Sequence, residues 1–231
     1  MTLKGVLFDF SGTLLRVEPA AEWLRAVLEE ADIGLPEEEC AELAHRLESA
    51  GALPGGAPPR SVPARLRPLW EERDISARAH RAAFTGLARQ VPLPREELYD
   101  ALYERHMRPV AWRPYPDAAW VLQTLRQQEV PVVVLSNIGW DLRHVFRAHG
   151  LAPYVHDYVL SCEHGARKPD PRLFRAGCAA LDLAPEEVLM VGDDDRADGG
   201  AAEIGCAVRL VPHLPADARP DGLLPVLELV G

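Results

Sequence analysis

The sequence predicts an α/β protein, a doubly wound parallel sheet with a block of helices inserted after its first strand. Three observations predict it. Val6–Phe8, Val130–Leu135 and Val188–Val191 are continuous apolar runs of strand length, which suits strands covered on both faces. From residue 116 onward such runs alternate with segments of helical period, the pattern of right-handed βαβ units. Residues 16–110 show helical period and Pro/Gly-rich breaks but no strand.

Taken in order, the first strand stops abruptly at Asp9, and Gly12 lets the chain turn. Ala20–Ala31 reads as a helix with Trp23, Leu24, Val27 and Leu28 on one face, broken by Gly34 and Pro36. Pro36–Ser49 is a second helix. Its Glu37, Glu38 and Glu39 are better explained as charge at a helix N-terminus than as a metal site. Gly51–Pro68 has no period and reads as a loop. Helices follow at Ser76–Gln90 and Pro94–Met107, and Pro109–Pro116 reads as the return linker. Next come a helix over Asp117–Gln128 and the strand Val130–Leu135, ending at Ser136-Asn137. A helix over Trp140–Ala148, a short strand at Tyr158–Leu160 and a helix over Pro171–Leu181 follow. The strand Val188–Val191 ends at Gly192-Asp193-Asp194-Asp195, and a helix runs over Ala197–Ile204 to Gly205. Ala207–Val211 is a last strand and Leu223–Val230 a terminal helix. Residues 1–15 and 111–231 thus form an α/β core domain, and residues 16–110 a helical domain over the strand ends.

Composition narrows the class. The 231 residues are 48% hydrophobic and 26% charged, the balance of an ordinary soluble domain. A net charge of −10 argues against nucleic acid, and no apolar run approaches the roughly 18 residues that span a bilayer. Residues 1–10 lack the pattern of an export signal. Cys40, Cys162, Cys178 and Cys206 are far apart in sequence, without zinc-type spacing, and read as free thiols of a cytoplasmic protein. The only lysines are Lys4 and Lys168. The histidines, His106 and His164 included, have no ligand spacing, and Trp140 reads as a packing residue.

Three strands end in polar residues: Asp9, Ser136-Asn137 and Asp193-Asp194-Asp195. Arg167-Lys168-Pro169-Asp170 precedes a helix. Each alone is ordinary turn, cap or surface chemistry. In a parallel sheet they converge at one edge. Converging carboxylates repel unless a cation bridges them, and an oxygen-rich set without His or Cys suits Mg²⁺. Ser136, Thr13, backbone N–H groups and Lys168 could hold an anion beside it.

Here the chain resembles the haloacid dehalogenase superfamily of hydrolases, in its phosphatase-like branch with a small helical cap. Four motifs appear in order: Asp-x-x-Gly-Thr at Asp9–Thr13, Ser136-Asn137 after a strand, Lys168-Pro169, and Gly-Asp-x-x-x-x-Asp at Gly192–Asp198. The resemblance implies a Rossmann-like core with residues 16–110 as the cap. It implies Asp9 as a nucleophile that forms an aspartyl-phosphate, with Lys168 neutralising it. Thr13, Ser136, Asn137 and Lys168 would hold the phosphate. Asp9, the backbone carbonyl of Ser11 and Asp193 would hold Mg²⁺, with Asp194 or Asp198 acting directly or through water. The partner would be a small phosphorylated molecule, and the chain a monomer or homodimer.

One position departs from the pattern. Phosphatases of this family carry a second Asp two residues after the nucleophile, and here that residue is Ser11. A serine hydroxyl is a poor general acid or base, and losing that group costs about 10²–10⁴-fold. The favoured reading is a phosphatase for good leaving groups such as acyl phosphates, or one whose acid comes from Asp194 or the cap. A phosphonoacetaldehyde-type reaction ranks low, because it needs a cap lysine and residues 16–110 contain none. A 2-haloacid dehalogenase also lacks the second Asp, but attack on carbon needs no metal and leaves the acidic loop Asp193–Asp198 unexplained. The remaining alternative is a non-catalytic phosphate-binding or regulatory protein. Residues 16–110 carry no readable substrate code, although Arg16, Arg60, Arg65 and Arg67 could face a polyanion.

Overall fold

The computed structural model describes residues 2–230. In chain order, β1 (Gly5–Phe8) and β2 (Leu15–Val17) precede five helices. These are α1 (Ala20–Glu30), α2 (Glu37–Ser49), α3 (Arg67–Glu72), α4 (Ala77–Ala88) and α5 (Glu97–Arg105). Then come β3 (Trp112–Pro114), α6 (Ala118–Gln127), β4 (Val132–Ser136), α7 (Arg143–Ala148), β5 (Asp157–Leu160), α8 (Ser161–His164), α9 (Pro171–Leu181), β6 (Val188–Gly192) and β7 (Ala207–Leu210).

Five strands form one parallel sheet in the order β5-β4-β1-β6-β7, with β1 at its centre. Their order of appearance reverses at β1, so the crevice beyond the ends of β1, β4 and β6 is the topological switch point. Side chains alternate between two buried faces. Val6, Phe8, Val132, Val134, Leu189 and Val191 join the large core, and Leu7, Val133, Leu135 and Met190 the smaller one under α9. That is why these strands read as unbroken apolar runs.

The inserted helices bury one stripe each. Trp23, Leu24, Val27 and Leu28 of α1 pack toward α2 and α5, and the indole of Trp23 donates to the Leu102 carbonyl at 3.0 Å. Ser76 caps α4, accepting from the Ala79 N–H at 3.2 Å. A buried bidentate pair, Arg105 to Glu18 at 2.7 and 2.8 Å, ties α5 to the chain just after β2.

The structure corrects several expectations. β2 and β3 pair antiparallel, so the two crossings of the insertion run side by side where a helix approach and a linker were expected. Strands of three residues are too short to show a period. α3 lies within and beyond the segment read as a loop, because Pro68 sits in its first turn, where proline is tolerated. Residues 199–204 and 224–228 form 3₁₀ turns rather than α-helices, consistent with Gly199-Gly200 and Pro225. The Sγ atoms of Cys178 and Cys206, distant in sequence, lie 3.7 Å apart as free thiols in the smaller core. No helix among the described residues is long and apolar enough to cross a membrane.

Candidate active site

β1 delivers Asp9 to the crevice, with its backbone N–H bound to the Val191 carbonyl of β6 at 2.9 Å. The chain then turns sharply. Gly12 has φ of +86°, and a Cβ there would stand 2.2 Å from Asp193 Oδ2, so only glycine lets the two loops meet. Gly192 plays the same part behind: a Cβ would stand 2.1 Å from Asp198 Oδ2.

Lys168 is the hub. Its Nζ, buried with the rest of the residue, donates to Asp9 Oδ1 at 2.7 Å, Asp198 Oδ1 at 2.6 Å and the Leu135 carbonyl at 3.1 Å. Asp9, Asp193 and Asp198 each offer an oxygen within 4.8 Å of the others. Three carboxylates against one ammonium leave the cluster doubly negative if all are ionised. Burial, with help from Asp198 and Asp193, pushes the Asp9 carboxyl up to about 7 despite Lys168. Burial alone would lower the Lys168 ammonium, but Asp198 and Asp9 more than offset it and raise its pKa.

The other expected residues take more specific positions. Ser136, at the tip of β4, lines the crevice together with Asp9 and Lys168. Asn137 was expected at the phosphate. Its amide instead clamps the Lys168 backbone, Nδ2 to the carbonyl at 2.9 Å and Oδ1 to the N–H at 2.7 Å, so it positions the lysine. The peptide between Lys168 and Pro169 is cis. Thr13 was also expected at the phosphate but is fully buried; its Oγ1 lies 3.4 Å from Asp9 Oδ2 and 3.5 Å from Asp193 Oδ1, between the two carboxylates. Asp194, one of two alternative ligands, has Oδ1 occupied by the N–H groups of Arg196 and Ala197 at 2.9 and 2.8 Å. Asp198, the other, spends Oδ1 on Lys168 and Oδ2 on the N–H groups of Asp193 and Asp194, at 3.0 Å each. Asp9 and Asp193 accept no more than one side-chain donor on each oxygen, from Lys168, Thr13 and His213, so each oxygen keeps a further lone pair. Ser11 lies beneath the loop of Gly55, whose Cβ, if it had one, would be 3.3 Å from Ser11 Oγ. Gly55 brings no titratable group to that hydroxyl.

Sequence reasoning missed four contributors. His213 Nδ1 meets Asp193 Oδ2, and Arg16 meets His213 Nε2. Arginine can only donate, so Nε2 accepts and Nδ1 donates to Asp193. Arg219 is buried, stacks 3.3 Å over the Tyr115 ring, and donates to the carbonyls of Gly12, at 2.8 Å, and Thr13. It fixes the turn after Asp9 from the far end of the chain. Arg73 and Asp74, at the end of α3, line the crevice from the helical side. No motif or spacing marks any of them. Arg60, Arg65 and Arg67 are exposed and do not line the crevice.

The crevice holds about 750 Å³. A larger cavity of about 860 Å³ lies beyond Leu53, Gly56 and His213, but none of Asp9, Lys168, Asp193 or Asp198 lines it, so the charged cluster belongs to the first.

Comparison with known proteins agrees with this architecture. A family model described as haloacid dehalogenase-like hydrolase matches residues 3–204. The chain is 32% identical to a phosphoserine phosphatase of Thermus thermophilus over 153 residues, which is 60% of each protein. It is 29% identical to (S)-2-haloacid dehalogenase 1 of a Pseudomonas species over 207 residues, 88% of this chain and 82% of that one. The crystal structure of a dehalogenase with an intermediate complex superposes with a TM-score of 0.67 at 21% identity, covering 99% of this chain and 97% of the other. His213 and Arg219 fall outside the matched residues. With the family model matching residues 3–204, and Asp9, Lys168 and the acidic loop in one crevice, the chain belongs to the haloacid dehalogenase-like hydrolases.

Proposed function

We propose that the protein hydrolyses a small phosphorylated metabolite by phosphoryl transfer to Asp9, with residues 16–110 acting as a cap on the core formed by 1–15 and 111–231. One observation carries this reading: the third carboxylate. Attack on carbon needs Asp9 and a countercharge, and Lys168 supplies that. Asp193, 10% exposed in its side chain and paired with His213, adds a carboxylate beyond what Lys168 neutralises, and a bound cation would offset it. The donors are all oxygens, which fits a hard dication of the Mg²⁺ type. Asp9, Asp193 and the Ser11 carbonyl would hold it, and when bound it would neutralise charge on the transferring group.

The chain's own residues do the rest. An Asp9 oxygen attacks phosphorus in line, the bond from phosphorus to the leaving oxygen breaks, and an acyl phosphate forms on Asp9. The Ser136 hydroxyl donates to a phosphoryl oxygen, and the Lys168 ammonium, held by Asp9, Asp198 and the Leu135 carbonyl, offsets the charge beside it. Water then attacks the acyl phosphate, releasing phosphate and restoring the Asp9 carboxylate. With Ser11 in place of an acid, the leaving oxygen departs fastest when it is a weak base, which favours acyl phosphates and mixed anhydrides. Incubation with Mg²⁺, acetyl phosphate and a panel of phosphate esters tests this. Phosphate release is expected. The reading fails if nothing turns over and Ser11→Asp creates no activity.

A second reading keeps one specific support, a relative matched over 88% of this chain and named a 2-haloacid dehalogenase. In it Asp9 attacks carbon, halide leaves, and water cleaves the ester. Halide release from 2-haloacids in the presence of a chelator would establish it in place of the first.

A further inference from the structure

The helical side of the crevice carries a charge arrangement that hydrolysis at Asp9 does not use. Asp74 is buried, and its Oδ2 stands 3.1 Å from Arg73 Nη2 and 3.5 Å from Arg167 Nη1. Two guanidiniums against one carboxylate leave a single positive charge in excess. Arg73 is held in place: its guanidinium lies 3.9 Å over the Trp70 ring and Nη1 donates to the Trp70 carbonyl at 2.6 Å. Phe84 meets the same indole edge-on at 5.5 Å. The turn is docked to the core as well, because Ser161 Oγ donates to the Asp74 carbonyl. A pinned, half-buried guanidinium with donors left over loses little entropy on binding an anion. The loop after β6 brings Asp193, Asp194 and Asp195 to the crevice, and the other cations lining it are Lys168, held by Asp9 and Asp198, and Arg196, which is exposed.

We propose that Arg73 is a specificity-determining residue that anchors a carboxylate on the non-reacting end of the substrate, so that the substrate is a phosphorylated carboxylic acid. This rests on the phosphoryl-transfer reading for the reacting end only. A carboxylate matches the single excess charge, whereas a second phosphate would bring about −1.5 to −2. The planar guanidinium also suits two parallel hydrogen bonds to a carboxylate.

The test compares probes with and without a carboxylate. With phosphoglycolate as substrate, Arg73→Met is expected to raise KM about 10–100-fold, the loss of a charge-assisted anchor, with a much smaller change in kcat. With p-nitrophenyl phosphate the loss in kcat/KM is at least tenfold smaller. Arg73→Lys recovers part of the phosphoglycolate KM. Equal losses on both substrates would overturn the proposal, as would selectivity toward fructose 1,6-bisphosphate over phosphoglycolate that depends on Arg73. Calorimetric titration separates the two readings. If the wild type binds phosphoglycolate at least tenfold tighter than methyl phosphate and Arg73→Met erases that margin, the anchor stands even when no phosphate is turned over. If the wild type shows no margin, the anchor falls even when phosphatase activity is found.

Discussion

Asp198 separates two roles that a list of acidic residues merges. It is 1% exposed and makes four contacts: Nζ of Lys168 at 2.6 Å through Oδ1, and the N–H groups of Asp193 and Asp194 at 3.0 Å through Oδ2, with Gly192 pressed against the carboxylate. Asp198→Ala removes a charge-assisted hydrogen bond, worth about 1.5–3 kcal/mol, and leaves two N–H groups short of a partner at about 1–3 kcal/mol each. Two effects reduce the sum. Lys168 keeps Asp9 at 2.7 Å, so no ammonium is stranded, and the Asp194 N–H lies where water reaches it. Removing one of three crowded carboxylates also relieves repulsion on Asp9. The net expectation is a loss of about 2–4 kcal/mol. For a chain of this size that lowers Tm by about 4–16 °C. Thermal unfolding in EDTA reads it, with Asp198→Asn falling between the variant and the wild type, since its amide oxygen still accepts from the loop. Calorimetric Mg²⁺ titration completes the test: Asp193→Asn abolishes binding, whereas Asp198→Asn weakens it. A Tm within 2 °C of wild type for the alanine variant, or equal loss of Mg²⁺ binding in the two asparagine variants, would refute the assignment of Asp198 as a positioning residue.

Other outcomes follow from the same geometry. Ser11→Asp is expected to raise turnover of unactivated phosphate monoesters about 10²-fold or more while changing acetyl phosphate hydrolysis far less. Arg219→Met frees the Gly12 and Thr13 carbonyls; kcat on acetyl phosphate should fall at least tenfold with a smaller change in KM, read in steady-state assays beside circular dichroism to confirm folding. His106 is fully buried, and burial lowers its pKa from 6.5 to about 3; His80, beside it, is also lowered, by burial and by His106 and Arg73. The unfolded chain therefore binds more protons below pH 6.5. The stability the His106 ring contributes is complete above that pH and is lost toward pH 3, at about 1.4 kcal/mol per pH unit, and His80 acts in the same direction. Urea unfolding at pH 7 and pH 5 measures this, and His106→Phe should flatten the dependence.

The convergence of Asp9, Ser136, Lys168, Asp193 and Asp198 was legible because it depends only on strand order. β1, β4 and β6 are buried on both faces, so their sequences are unbroken apolar runs, and a parallel sheet brings their carboxyl ends together. What each polar group does there was not legible. Asn137 and Thr13 look like phosphate ligands in sequence, yet one clamps the Lys168 backbone and the other sits between two carboxylates. Such choices depend on side-chain distances that spacing does not encode. His213, Arg219 and Arg73 reach the crevice from loops and from a six-residue helix, where no period exists to place them. β2 and β3 escaped for the same reason: three residues each, held by pairing with one another.

The identity of the atom that attacks can be measured. Protein quenched during turnover of acetyl phosphate in Mg²⁺, reduced with borohydride and digested, reports whether an acyl phosphate stood on Asp9. Phosphoryl transfer to Asp9 predicts reduction of that side chain to homoserine in the peptide containing residues 5–16, with none in Asp9→Asn. Phosphate release with Asp9 unmodified, or a substrate carbon esterified to Asp9 with the metal chelated, would contradict it.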